Sequence, residues 1–251
     1  MKASPKQHRK PYKGMRMEGM LATWYAKNTA NLGAEFRACA ERIDNYLAAG
    51  AEVLEVAPGP GYLAIELARL GRCRITGLDI SQSFVRIAAE KAARASVSIE
   101  FRQGDVAAMP FPENRFDFVV CRAAFKNFSA PGVALTEMYR VLRPGGAALV
   151  IDMRRDASDE AIDETVTQMR LGALDAFVTR AIFKHALRRR AYLRQQFEAM
   201  VAATPFGRAD IREAPLGFEV WLHKALTRAL GCHRTGGGLD EGHRLALCRR
   251  S

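Results

Sequence analysis

The stretch Glu55-Val56-Ala57-Pro58-Gly59-Pro60-Gly61-Tyr62 decides how this chain is read. Before it runs the short apolar segment Ala51-Glu52-Val53-Leu54-Glu55-Val56, and after it a helix-like run from Leu63 to Leu70. A strand that turns through glycines into a helix aims backbone N–H groups outward, and the missing side chains let a ligand come close. Alone, such a turn is a weak signal. Here acids fall in step with it. Asp79 closes a second strand-like run, Arg74-Ile75-Thr76-Gly77-Leu78-Asp79, 18 residues past Gly61. A carboxylate at that place can accept both hydroxyls of a ribose. Gly104-Asp105 closes a third run that begins at Val97, where a second acid can meet an adenine amino group.

Working outward, strand-like and helix-like runs alternate from about residue 34 to 152. Glu35 to Leu47 is helical, with Phe36, Ala40, Ile43 and Leu47 on one face. Ser81 caps a helix running to about Arg94, and Pro131 opens one that Pro144-Gly145-Gly146 stops near Leu142. Strands are expected at 51–56, 74–79, 97–102, 116–121 and 147–152. Such alternation predicts a parallel sheet with right-handed crossovers and helices on both faces. Residues 158–201 then read as helical throughout. An antiparallel hairpin follows, 209–213 and 218–222, turning through Ala214-Pro215-Leu216-Gly217. Residues 1–14 and 229–251 are expected to be flexible ends, around a single domain at 15–228.

The chain's 251 residues allow one domain with a proper core, and its composition is that of an ordinary globular protein. Its net charge of +11 first suggests nucleic acid or an anionic surface. That charge is localised. Residues 1–27 carry Lys2, Lys6, Arg9, Lys10, Lys13, Arg16 and Lys27 against Glu18 alone. Residues 179–194 carry Arg180, Lys184, Arg188, Arg189, Arg190 and Arg194 with no acid, and the body is near neutral. Five scattered cysteines without a CxxC pair argue against a disulfide framework. No apolar run reaches transmembrane length and no secretory signal is visible, so a cytoplasmic location is expected. Cys232, His233, His243 and Cys248 lack the tight spacing of a metal site, and no metal is expected.

The segments VLEVAPGPGYLAIELA (53–68), ITGLDIS (75–81), FRQGDVAAMPFPENRFDFVV (101–120) and EMYRVLRPGG (137–146) together resemble class I S-adenosylmethionine-dependent methyltransferases of the small type 11 group. The likeness covers roughly 40–152, with all four motifs in order. CRAAFKNFSAPGVALTEMYRVLRPGG (121–146) is further similar to ubiquinone/menaquinone C-methyltransferases. The resemblance implies a Rossmann-like, seven-stranded α/β sheet with an antiparallel last strand beside strand five and a helical lid at about 157–205. It implies S-adenosyl-L-methionine as cofactor, with S-adenosyl-L-homocysteine as product. Glu55 would face the methionine amino end, and Ala57, Gly59 and Gly61, with Tyr62, would form the cofactor turn. Asp79 would hold the ribose, and Ile80, Gly104, Asp105 and Val106 would surround the adenine. Arg122 would lie under the methionine part, and Tyr25 would close over the cofactor from the N-terminal side. The family's turn usually begins with Gly; Ala57 suits a close approach if its φ is negative.

Methyl transfer needs positioning more than a catalytic dyad, and no dyad is visible. Candidates for the acceptor side are Trp24, Phe125, Lys126, Arg154 and His185, with His185 and Tyr25 as weak candidates for proton transfer. Each has a plainer reading. Trp24 and Tyr25 would pack a helix, Arg154 would be a solvated charge, and a lone helical histidine is more often exposed than catalytic. Arg180, Lys184 and Arg188 form a stripe at i, i+4, i+8, either paired with acids in 159–175 or facing an acidic substrate or membrane surface. A small-molecule acceptor, anionic or aromatic, is expected, and nucleic acid is disfavoured. The rival readings are an RNA or protein methyltransferase and a non-catalytic cofactor-binding protein. A nicotinamide-dependent dehydrogenase would need a third spaced glycine where Ala64 stands.

Overall fold

The computed structural model describes residues 12–13 and 17–226. Helices α1 (Gly19–Thr29) and α2 (Gly33–Tyr46) precede the alternating units. These are β1 (Ala51–Val56), α3 (Tyr62–Leu70), β2 (Cys73–Asp79), α4 (Gln82–Arg94), β3 (Glu100–Gln103), β4 (Phe116–Arg122), α5 (Pro131–Val141) and β5 (Leu142–Met153). After β5 come α6 (Asp159–Gln168), α7 (Ala173–Ile182), a π-turn at Phe183–Leu187, α8 (Arg188–Arg190) and α9 (Arg194–Ala202). Strands β6 (Asp210–Glu213) and β7 (Gly217–His223) close the described chain.

The seven strands form one sheet in the order β3-β2-β1-β4-β5-β7-β6. The first five run parallel, and β7 lies antiparallel to both β5 and β6. The antiparallel step follows from chain length, because the three residues Ala214–Leu216 cannot carry a parallel crossover. The turn is closed by the Ala214 N–H on the Gly217 carbonyl at 2.8 Å. The sheet, its one antiparallel insertion and its flanking helices match the seven-stranded α/β fold expected from the motifs.

Alternation along each strand feeds two cores. Leu54, Val119, Val150 and Val220 pack on one face with α5 and α9. Val53, Phe118, Val120 and Leu149 pack on the other with α2 and α3. Strands buried on both faces read as continuous apolar runs, which is why they were visible in the sequence. A third, smaller cluster joins Met153, Ile162, Val166 and Ala191 and seats the helices after β5.

Several expected boundaries move, each for a local reason. The third strand covers Glu100–Gln103 rather than 97–102, because Val97 N–H still closes α4 on the Ala92 carbonyl at 3.1 Å. Strand β5 starts at Leu142 rather than at 147; a bulge between its pairings with Phe116 and Phe118 absorbs Arg143-Pro144-Gly145-Gly146. The region 158–201 is not one helix. Arg170 takes a positive φ of 50° ahead of Gly172, and Tyr192 is drawn into a bridge with Arg154. Tyr12 and Lys13, at the edge of the expected flexible tail, form a bridge to Phe128 and a hydrogen bond from Lys13 N–H to the Asn127 carbonyl at 2.8 Å. The rest of that tail, the end at 229–251 and the Cys232–Cys248 cluster lie outside the described residues.

Candidate active site

The carboxyl ends of β1, β2, β4 and β5 meet along one edge of the sheet. The turn after β1 is held open there by backbone conformation. Ala57 has φ +53°, Gly59 +54° and Gly61 +80°. A Cβ on Gly61 would stand 2.9 Å from Ala88 Cβ, so that position accepts only glycine. The proposed condition for Ala57, a negative φ, is not met. Ala57 instead stays left-handed, fastened by its N–H to the Leu78 carbonyl at 2.7 Å. Ala123, after β4, repeats this with φ +60° and an N–H bond to the Ile151 carbonyl at 2.7 Å. A non-glycine residue in this region costs about 1–2 kcal/mol. Ala57→Gly is therefore expected to raise stability by about 1 kcal/mol, read as a higher urea midpoint at constant slope.

Three acids line the edge. Glu55 is buried, and its Oε2 has no hydrogen-bond partner among the described residues. Burial lifts its carboxyl to about 8, with the Ala64 N–H and Arg122 pulling the other way and Asp79 adding to the rise. Asp79 is likewise buried; Gly59 N–H reaches its Oδ2 at 3.0 Å and Ser81 N–H its Oδ1 at 2.8 Å. Burial lifts it to about 6 despite these bonds. Asp105 caps the turn at Val106–Ala108 by accepting the Ala107 N–H at 2.9 Å.

These shifts carry a sign. A carboxyl whose folded pKa is raised keeps its proton in the folded state after the unfolded chain has lost it, so stability falls as pH rises between the two values. For Glu55 that window runs from its ordinary value of 4.5 to about 8. Glu55→Gln is expected to flatten the decline in thermal stability over that range. A slope unchanged in the variant would show that Glu55 does not set it.

The site is clasped by the chain's N-terminal side. Ser81 Oγ donates to the Met17 carbonyl at 2.5 Å, Gly19 N–H reaches Ser83 Oγ at 3.0 Å, and Ser83 N–H reaches Glu18 Oε2 at 3.1 Å. Tyr62 Oη donates to the Ala26 carbonyl at 2.5 Å. Segment 17–26 thus ties the start of α4 to the start of α3. Tyr25 packs edge-on to Phe84, and burial pushes its phenol up. Tyr12 reaches in from the other end. Burial and the neighbouring Tyr25 push its phenol to about 12, with Arg190 acting against them and Asp79 and Asp152 adding to the rise. Lys13 Nζ donates to Tyr192 Oη at 2.7 Å. Of two surface depressions, one of about 390 Å³ lies along α4 on the outer side of the clasp, beside Glu18 and Ser83, and one of about 380 Å³ between α5 and α9.

The residues expected around a cofactor come together: Glu55, Ala57, Gly59, Gly61, Tyr62 and Asp79 share this edge, Gly104, Asp105 and Val106 adjoin it, and Ile80 stands beside Asp79, partly exposed. Arg122 is held sideways, 4.3 Å over the Phe36 ring and 3.0 Å from Glu35 Oε2. The acceptor-side candidates scatter. Phe125 is fully buried against Phe128, Tyr192 and Phe197. Lys126 is 3% exposed, its Nζ 2.6 Å from Asp152 Oδ1 and 2.6 Å from the Ala123 carbonyl. Arg154 is forked onto Asp156 and also meets Glu213. His185 is exposed on the π-turn, and Trp24 is half-buried on α1. The basic stripe meets acids: Arg180 pairs with Asp163, Lys184 with Asp159 and Asp163, and Arg188 with Asp159.

Three site residues escaped the sequence reading. Asp152 had a signal, a lone acid ending the apolar run of β5. Tyr192 has only the weak signal of one aromatic with a polar tip inside the arginine-rich run 180–194. Tyr12 had none, since residues 1–14 carry no periodicity.

Residues 54–150 match the family model of the type 11 methyltransferase domain. A demethylmenaquinone methyltransferase of Deinococcus radiodurans is 39% identical over 107 residues, which cover 42% of this chain and 44% of that protein. A ubiquinone/menaquinone biosynthesis C-methyltransferase of Marinomonas sp. is 32% identical, covering 44% of this chain and 46% of that protein. The matched segment thus spans less than half the length of these curated relatives. Among solved structures, one from Methanococcus maripaludis described as an S-adenosyl-L-methionine-dependent methyltransferase shares the fold with a TM-score of 0.66. It is 21% identical, and the match covers 86% of this chain and 98% of that one. Residues 54–150 therefore form a methyltransferase domain, similar to the class I S-adenosylmethionine-dependent enzymes that the four motifs implied. S-adenosyl-L-methionine is the cofactor of that domain class, and the residues present fit it. Glu55 offers a buried carboxyl oxygen lacking a donor, which an amino group would supply, and Asp79, each oxygen of which accepts one backbone N–H, retains acceptor capacity for ribose hydroxyls.

Proposed function

We propose that this protein transfers the methyl group of S-adenosyl-L-methionine to a small aromatic acceptor of the quinol type, at a ring carbon. The observation that carries this reading is the roof of the site. Tyr12 and Tyr25 lie together near Asp79 and Asp152, with Tyr192 against Phe125, and would give the acceptor side aromatic surface, while Arg180 and Arg188 of the basic stripe are paired with Asp163 and Asp159 of α6. Aromatic walls with few polar groups suit a planar apolar ring. The two curated relatives act on such rings by name, which favours carbon as the methylated atom.

When bound, S-adenosyl-L-methionine supplies an electrophilic methyl group on a sulfonium. The chain's own residues do the rest. Glu55 would take the amino group, Asp79 the ribose hydroxyls, and Asp105 with Val106 the adenine. The clasp at 17–26 keeps water from the strand edge. Tyr12 and Tyr25, whose phenols are held above their ordinary value, stay protonated at neutral pH, so they donate hydrogen bonds to an acceptor oxygen and do not act as bases. The ring carbon would bond to the methyl group as the methyl–sulfur bond breaks, and the proton on that carbon would then leave to solvent on the acceptor side, restoring the aromatic ring, so that rate enhancement comes from orientation.

The test is product formation with purified protein. S-adenosyl-L-homocysteine is expected with a short-chain demethylmenaquinol and S-adenosyl-L-methionine, and not with bulk RNA. Transfer to RNA alone, or calorimetry showing no cofactor binding by folded protein, would overturn the reading.

A further inference from the structure

The cations of the helices after β5 are not all used alike. Arg180, Lys184 and Arg188 meet the acids of α6, and Arg189 is exposed. Arg190 is half-buried and has no ion-pair or side-chain hydrogen-bond partner among the described residues. Its backbone is fixed from both sides. Arg155 Nε donates to the Ala191 carbonyl at 2.9 Å, and a second nitrogen of the same guanidinium donates to the Arg189 carbonyl at 3.1 Å. Tyr192, two residues on, is bridged to Arg154 just past β5 and receives Lys13 Nζ on its hydroxyl at 2.7 Å. Lys13 adjoins Tyr12, which is bridged to Phe128. These ties bring Arg190 to the Tyr12 phenol, where its charge is felt, on the acceptor side of the strand edge.

The neighbouring groups leave that charge without a counter-ion. Asp152 is taken by the Lys126 ammonium at 2.6 Å and by two backbone N–H groups. Asp79 accepts the N–H groups of Gly59 and Ser81. The Tyr12 phenol is no counter-ion either, because burial pushes it to about 12 and it stays protonated, as does Tyr25. A guanidinium, by contrast, keeps its charge at any ordinary pH. A partly desolvated cation beside two protonated phenols favours negative charge on an oxygen placed among them.

We infer that Arg190 holds a ring hydroxyl of the acceptor as an oxyanion, with the Tyr12 and Tyr25 hydroxyls donating to the same oxygen. The inference rests on the quinol reading for the identity of the ring, and adds the ionisation state in which that ring reacts. A phenol in water ionises near about pH 10, so little phenolate exists at neutral pH. A nearby cation and hydrogen bonds to the charged form shift that balance toward phenolate. The acceptor hydroxyl would give its proton to solvent, and the oxygen's electron pair would push into the ring. The ring carbon would then bond to the methyl group as the methyl–sulfur bond breaks, and the proton on that carbon would leave to solvent.

Spectroscopic titration of 4-nitrophenol bound to the full chain, with S-adenosyl-L-homocysteine present, tests it without requiring turnover. The visible absorbance of the probe's phenolate separates its ionisation from that of Tyr12, Lys13, Tyr25, Asp79, Lys126 and Asp152, which surround the same place. At a given pH the bound probe is expected to show a ratio of phenolate to phenol at least about tenfold above that of the free probe. Arg190→Gln should abolish the excess, and Arg190→Lys should retain part of it. Arg189→Gln removes an equal charge one position away and should leave it unchanged. Circular dichroism checks that the variants fold. No excess in the wild type, the same excess in Arg190→Gln, an equal fall in Arg189→Gln, or failure of the folded protein to take up the probe overturns the inference. The excess without methylation of demethylmenaquinol would leave the oxyanion site standing and remove the quinol reading; methylation without the excess would do the reverse.

Discussion

Lys126→Met lowers folding stability by about 3–5 kcal/mol, the usual cost of leaving one partner of a buried ion pair without its counterpart. Lys126 and Asp152 have side chains only 4% and 3% exposed, at 2.6 Å from one another. Asp152 also accepts the backbone N–H of Lys126 and of Met153, each at 2.7 Å, so it joins the turn after β4 to the end of β5. Without the ammonium, a carboxylate remains in the core with backbone donors alone. Asp152→Asn combined with Lys126→Met keeps an acceptor for those N–H groups and removes the charge, so it recovers more than half of the loss. Urea unfolding measures both. If the single variant loses less than about 1 kcal/mol and instead raises the acceptor KM, then Lys126 belongs to the binding surface and not to the frame.

Asp79→Ala weakens S-adenosyl-L-methionine binding at least about 100-fold in calorimetry. Two losses combine. Under the proposed cofactor placement the ribose hydroxyls would lose their acceptor, and the N–H groups of Gly59 and Ser81 lose the partner that shapes the turn. Each unmet buried group costs on the order of 1–3 kcal/mol. Asp79→Asn separates the two, since its amide oxygen still receives a backbone N–H while one side now donates. An intermediate loss is expected. Wild-type affinity in Asp79→Ala would show that the ligand does not sit at this edge.

The parallel sheet was legible because its strands are apolar on both faces and its glycine turn and acids recur at strand ends. The meeting of Glu55, Gly59, Gly61 and Asp79 at one sheet edge was legible for the same reason: those residues stand in the turns at strand ends, so sequence spacing is also spatial spacing. The acceptor side was not. Phe125 and Lys126 stand in the right place along the chain but point into the interior, which only packing decides. Arg154 looked free to meet an anion, yet Asp156 two residues on and Glu213 across the hairpin claim it. Tyr12 reaches the site through a single bridge to Phe128, a contact that no local pattern announces. Ala57 held its conformation against its own preference, because the bond to the Leu78 carbonyl overrides a local cost.

The clasp carries a consequence for biosynthesis. Lys13 is translated long before its partner Tyr192, which lies 179 positions further on. Met17 and Glu18 likewise precede Ser81 and Ser83 by 64 and 65 positions. The contact of Lys13 is therefore the last of these that can settle, although Lys13 is the first of them to leave the ribosome. The partners of Met17 and Glu18 are present once Ser83 has emerged, whereas the partner of Lys13 appears only with the helices after β5. The Lys13–Tyr192 contact is then a late seal, one that can close only after synthesis has passed Tyr192.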